Sequence, residues 1–215
     1  MKVYIAQMNV LPGNPDENFK NMKAVVARAK KAKADMVVFP KDAISGDSYK
    51  LGSKQNESEF QSKCMAAENG LEKLSKGIEI LMGSSEAFDD CMYSHYVDGN
   101  MDGWEHDFEV YSGTQDFTTS KDAEVEEICK RFVSYEKKPV LYVAGVGTEN
   151  SGKNIYAMDG SSRVFDKAGK VAFRMPQFKA CEAMVEIANG KVKALWCDYA
   201  KAPKSAKPDA PIAQI

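Results

Sequence analysis

Residues 2–9 (KVYIAQMN) carry the β-branched and aromatic content of a buried strand, and Pro12-Gly13 closes it with a turn. A helix is predicted next. Asn14 suits its N-cap, Pro15 its first helical position, and Glu17 the closing position of a capping box. Phe19, Met22, Val25, Val26 and Ala29 then recur at three- and four-residue steps, which leaves Lys20, Lys23, Arg28, Lys30 and Lys31 on a solvated face. Residues 35–40 (DMVVFP) are a short continuous apolar run, the pattern of a strand covered on both sides. The opening unit therefore reads β-α-β.

The alternation continues with an amphipathic helix over 56–76, in which Phe60, Cys64, Leu71 and Leu74 face inward and Gly70 is a weak point, followed by a strand at 78–82. From 89 to 118 the pattern breaks, with turns at Asp98-Gly99-Asn100 and Asp102-Gly103 between strand-like runs at 92–97 and 108–111. Thr119 or Ser120 starts a third helix whose stripe is Val125, Ile128, Cys129, Phe132 and Val133; Pro139 ends it and a strand at 140–146 follows. Two hairpins are expected after that. Asp166-Lys167-Ala168-Gly169 joins 161–166 to 171–175, and Asn189-Gly190 joins 183–188 to 192–197. Residues 201–215 (KAPKSAKPDAPIAQI), with their prolines and no period, read as an extended tail beyond a single domain at 1–200.

Composition narrows the classes. In 215 residues, 29 Lys and Arg face 31 Asp and Glu, so no basic footprint for nucleic acid or anionic lipid is present. The start of the chain is too short and too polar after Ile5 for a signal peptide, and no long apolar run suggests a membrane span, so a cytoplasmic location is expected. Cysteines at 64, 91, 129, 181 and 197 form no C-x-x-C pair, and His95 and His106 give no zinc-ligand spacing, so neither a metal nor a cofactor is expected. The thiols read as reduced and mostly packed.

Single motifs are weak. Residues 147–154 (GTENSGKN) match a phosphate loop except at the end, where Asn154 replaces the magnesium-binding hydroxyl and Asp159-Gly160 interrupts any helix; a glycine-rich loop is the plainer reading. His95 sits in a strand-like run as a packed or edge residue, and His106 among acids as a solvated one. Cys91 follows two aspartates, which raise a thiol pKa, and Cys197 ends a strand without a visible base.

The order of elements says more. Residues 3–9, the Pro-Asp-x-Asn helix start and residues 34–40 (ADMVVFP) resemble the opening of the nitrilase, or carbon-nitrogen hydrolase, superfamily, above all the glutamine-amidohydrolase domain of glutamine-dependent NAD synthetases. Residues 80–83, 92–97, 138–143 and 159–171 resemble later parts of that family in the right order. The resemblance implies an α/β fold: a nitrilase-like α-β-β-α sandwich, shortened, with mixed sheets flanked by helices. Family members use a Glu, a Lys and a Cys, in which the carboxylate takes the thiol proton, the thiolate attacks the amide carbon and the lysine stabilises the oxyanion. The glutamate directly follows Phe-Pro, and Lys41 stands there in this chain. A lysine is protonated at neutral pH and accepts no proton. Asp42, one residue on, faces the other way in an extended segment. The stretch that would carry the lysine and cysteine is missing between 97 and the third helix, and Cys197 comes too late in the order.

These residues imply a catalytically inactive nitrilase-like protein with a structural or assembly role. The family's sheet-to-sheet pairing implies a homo-oligomer or larger protein assembly, with the tail as a contact and incorporation in a viral particle as one setting. The rival readings are an active thiol-dependent amidohydrolase with a rebuilt site, using Cys91 with His95 or Asp42 as base, and a small-molecule-binding regulator that uses the vestigial pocket.

Overall fold

Alternation along each strand decides which layer every apolar residue enters. In β1 (Lys2–Gln7), Tyr4 and Ala6 join one cluster while Val3 and Ile5 join another. The same split runs through β2 (Met36–Phe39), with Val37 and Phe39 against Met36 and Val38, and through β3 (Glu79–Gly83), with Ile80 and Met82 against Leu81. The first cluster is closed by α1 (Pro15–Lys31), through Met22, Val25, Val26 and Ala29, and by α2 (Ser58–Leu74), through Ala67 and Leu71.

The second cluster lies between two sheets. Its far wall comes from β7 (Val140–Ala144), whose Leu141 and Val143 face it, and β10 (Arg163–Phe165), through Val164. Val140, Tyr142, Ala144 and Phe165 point away, onto Val125, Cys129 and Val133 of α3 (Lys121–Glu136). The layers therefore run helix, sheet, sheet, helix, as the family resemblance implied.

The computed structural model describes residues 1–47, 57–83, 93–101, 106–113, 116–150 and 154–198. The remaining elements are β4 (Tyr93–Val97), β5 (Asn100–Met101), β6 (Glu109–Gly113), β8 (Val146–Asn150), β9 (Ile155–Asp159), β11 (Val171–Arg174), β12 (Cys181–Ala188) and β13 (Lys191–Cys197). The first sheet has the order β13-β12-β1-β2-β3-β4-β5, parallel at β1-β2-β3 and antiparallel elsewhere. The second has the order β11-β10-β7-β6, parallel only at β6-β7, and β8 with β9 makes a separate ribbon. The middle core draws on Val3 near one end of the chain and on Ile187 near the other.

Local signals are realised in part. Asn14 Oδ1 accepts from the Glu17 N–H at 3.3 Å, but the Glu17 carboxylate turns to Lys20 at 3.0 Å instead of closing the capping box. Gly70 is a contact rather than a weakness: a Cβ there would lie 2.1 Å from the Phe19 ring, so its absence lets α2 approach α1. The Asn189-Gly190 turn has both residues at positive φ, 52° and 73°, as a two-residue hairpin requires. Residues 147–150, the first part of the glycine-rich loop expected over 147–154, belong to strand β8, and 151–153 lie outside the described residues. Gly147 has φ +131°, and a Cβ on it would meet Asn9 Oδ1 at 2.3 Å, so this glycine admits a neighbouring side chain rather than a phosphate. The Asp102-Gly103 turn and the tail at 201–215 lie outside the described residues. Among the described residues, no helix is long and apolar enough to cross a membrane.

Candidate functional site

β2 delivers Pro40 and Lys41 at its C-terminal end, and a turn over 41–45 follows at once. Asn18, fully buried in α1, fixes that turn: its Nδ2 donates to Ile44 O and to Leu11 O, both at 2.8 Å. Asp42 is buried with φ +55°, a left-handed conformation that aspartate tolerates better than most residues. Its N–H donates to Gly83 O at 3.2 Å, and its carbonyl accepts from Gly46 N at 2.8 Å.

Three backbones converge here. A Cβ on Gly83, at the end of β3, would sit 2.5 Å from Ser112 Cβ in β6 and 2.9 Å from Lys41 Cα. Ser112 Oγ donates to Phe39 O at 3.3 Å, which ties the second sheet to β2. The cavity between Lys41, Asp42, Asp47 and the buried Glu149 holds about 10 Å³, roughly one water. On the other side of Asp42, a cavity of about 70 Å³ is lined by Cys64, Glu68 and Ser94. Burial, then the nearby Glu68 and Asp16 carboxylates, push the Cys64 thiol up to about 11, so it is not a thiolate at neutral pH.

The structure separates the two candidate bases. Ser94 faces the Asp42 cavity, so His95, its neighbour in β4, faces the opposite side of the sheet. There His95 pairs across from Leu81 and is buried, its Nε2 3.0 Å from Glu79 Oε2. His106 is not solvated as expected: its ring stacks on Phe108 at 5.7 Å, and its Nε2 lies 2.8 Å from the same Glu79 oxygen. The strand-like spacing of His95 gave no hint of this partner, because the turn chemistry between 97 and 106 hides the return of the chain. Cys91 lies outside the described residues.

A second polar group sits where α3 begins. Lys121 Nζ donates to Asp159 Oδ1, both residues being almost fully buried, and Gln177 Nε2 donates to the other Asp159 oxygen at 3.1 Å. Arg163, wholly buried, donates to Asp122 Oδ1 at 2.6 Å and to Ser161 O at 3.0 Å, and Arg174 donates to Asp122 Oδ2. Burial pushes the Asp122 carboxyl up, but the two guanidinium groups outweigh it and hold it below the ordinary carboxylate range. One signal was available in the sequence: a lysine in the first turn of a helix opposes the macrodipole unless an acid meets it.

A polar cleft of about 310 Å³ lies between α1 and the start of β12, lined by Asn9, Asn21, Arg28, Cys181, Glu182 and Asp198. Arg28 forks onto Glu182 at 2.5 and 3.0 Å. The hydrogen bond to Cys197, then burial, raise the Cys181 thiol, and Cys197 is its neighbour across the hairpin rather than a lone strand-end nucleophile.

No protein-family model matches the chain, and no curated protein matches its sequence. Solved structures do match. A glutamine-dependent NAD+ synthetase from Acinetobacter baumannii superposes with TM-score 0.77 at 18% identity, covering 94% of this chain and 48% of that one. An amidase of the nitrilase superfamily from Nesterenkonia AN1 gives 0.68 at 13% identity, covering 91% and 90%. A carbon-nitrogen hydrolase from Helicobacter pylori G27 gives 0.64 at 13% identity, covering 86% and 88%. The chain thus has the nitrilase-like fold, and it spans about half the length of the NAD+ synthetase.

Proposed function

We propose that this chain is a catalytically inactive carbon-nitrogen-hydrolase-like protein that serves as a structural or assembly module, as a homo-oligomer or within a larger assembly such as a viral particle. The observation that carries this reading is the junction after β2. By the resemblance, Lys41 stands where the family places its carboxylate base, and the cavity beside it among the described residues is about 10 Å³, against the several hundred of an ordinary small-ligand pocket. A lysine supplies charge but no base, and among the described residues the cavity beside Lys41 is too small for an amide.

Ammonia release from glutamine and a panel of simple amides tests this, at high protein concentration, with and without prior thiol alkylation. The expected result is no release above buffer; thiol-dependent release removes the proposal and turns attention to Cys91. Sedimentation of the full chain against a chain ending at Asp198 tests the assembly role, with a smaller particle expected for the truncated one.

A regulator that binds a small amide or nucleotide, expected in the vestigial pocket, is a second reading that the separate cleft of about 310 Å³ beside Arg28 favours. A thermal-shift panel in which such a compound raises the melting temperature, and loses the effect in Asn21→Ala, supports it.

A further inference from the structure

The sequence contains only two histidines, and the fold brings both to one carboxylate. Glu79 opens β3, His95 is central in β4, and His106 lies on the segment that enters β6, so the three come from separate places in the chain. Their ligand-type atoms, one carboxylate oxygen and two Nε2, all lie within 4.8 Å of one another. The two rings stand edge to face with centroids 5.6 Å apart, at the rim of the core between the sheets, where Leu81 and Phe108 flank them.

We propose that Glu79, His95 and His106 form a divalent-cation site of the zinc type, with water as the fourth ligand. Two imidazoles and one carboxylate are the donor set of a three-ligand zinc centre, and zinc imposes no geometry of its own. Bonds of about 2.0–2.2 Å at tetrahedral angles place ligand atoms roughly 3.3–3.5 Å apart. The observed 2.8 and 3.0 Å from the carboxylate oxygen to the two rings need open by only a few tenths of an ångström, and the two Nε2 atoms, within 4.8 Å of one another, must settle to the same spacing. Binding puts each ring proton on Nδ1 and leaves Nε2 to donate its lone pair, while the carboxylate neutralises half of the ion's charge. Glu79 and His106 side chains are 22% and 18% exposed, which gives the ion a path from solvent and its water a place. The bound ion would clamp β3 and β4 of the first sheet to the segment leading into the second.

The experiment uses the full chain, stripped with a chelator and titrated with Zn²⁺ in competition with a chromogenic chelator, with melting temperature and the visible spectrum of the Co²⁺-loaded protein as further readouts. One ion per chain, a raised melting temperature and tetrahedral Co²⁺ bands without thiolate charge transfer are expected. His106→Asn and Glu79→Gln, which each keep hydrogen-bonding capacity, should weaken binding by at least about tenfold. Cys181→Ser with Cys197→Ser should leave it unchanged, because among the described residues the other candidate group is Cys181, Cys197 and Asp198. Two results overturn the proposal: no Zn²⁺ held at about micromolar concentration, or binding that survives both His106→Asn and Glu79→Gln. Loss of binding in the cysteine variant alone assigns the ion to the hairpin thiols, and equally overturns it.

Discussion

The junction after β2 and the network at the start of α3 both join separate parts of the chain, but by opposite physics. At the junction, glycine and serine let three backbones touch: a Cβ on Gly83 would lie 2.5 Å from Ser112 Cβ and 2.9 Å from Lys41 Cα. At the start of α3, the long charged side chains of Lys121 and Arg163 enter the interior and are matched, Lys121 by Asp159 and Arg163 by Asp122, which the half-buried Arg174 also meets. One region is specified by volume, the other by charge. A change of charge should therefore be costly in the second, and a change of a single methyl costly in the first.

The largest effect is expected at Lys121. Lys121→Ala leaves the Asp159 carboxylate buried without its cation and should lower unfolding stability by about 3–5 kcal/mol, read from urea denaturation. Adding Asp159→Asn to Lys121→Met should recover most of that loss, because the uncompensated charge is gone. If the double variant is as unstable as the single one, charge matching is not what holds this region.

Gly83→Ala comes next, at about 1–3 kcal/mol, as overpacking against a neighbouring backbone. Ser112→Gly in the same chain should relieve only part of it, since Lys41 Cα remains 2.9 Å from the added methyl. A stability unchanged by Gly83→Ala would remove the close approach and with it the argument for a sealed junction.

A smaller effect separates the regions by pH. Asp122 is held below the ordinary carboxylate range when folded, so its contribution is complete above the unfolded value near 3.8 and is lost as pH falls through the lowered folded value. The urea midpoint of the native chain should fall through this acid window, and Asp122→Asn, less stable at neutral pH, should show a shallower fall. Equal acid limbs would assign the acid sensitivity elsewhere. The smallest signal is chemical. With its pKa near 11, Cys64 beside the junction should react slowly with iodoacetamide at neutral pH and faster as pH rises, followed by peptide mass spectrometry. Rapid alkylation at neutral pH would contradict an inert junction.

Local patterns told where the elements run because they act over a few residues. Asn14 caps α1, Asn189-Gly190 turns β12 into β13, and short runs rich in β-branched and other apolar residues assigned Val3, Val37 and Val140 to strands. The layers followed, since an apolar residue on each side of a strand needs cover on each side. The same patterns misread Gly70 and Gly147, where the use of a missing Cβ lies in Phe19 and Asn9, far along the chain.

The sequence by itself determined the run of strands and helices and the lysine after Phe39-Pro40, because apolar runs, helical periodicity and a single residue identity are all carried locally, while the α-β-β-α layering was implied by the family resemblance. Only the tertiary structure decided that His106 turns inward to share Glu79 with His95, that Lys121 meets Asp159, and that β2, β3 and β6 close on one another. Those pairings depend on which segments the sheets bring together, and a charge or a ring has no periodicity that announces a partner dozens of residues away.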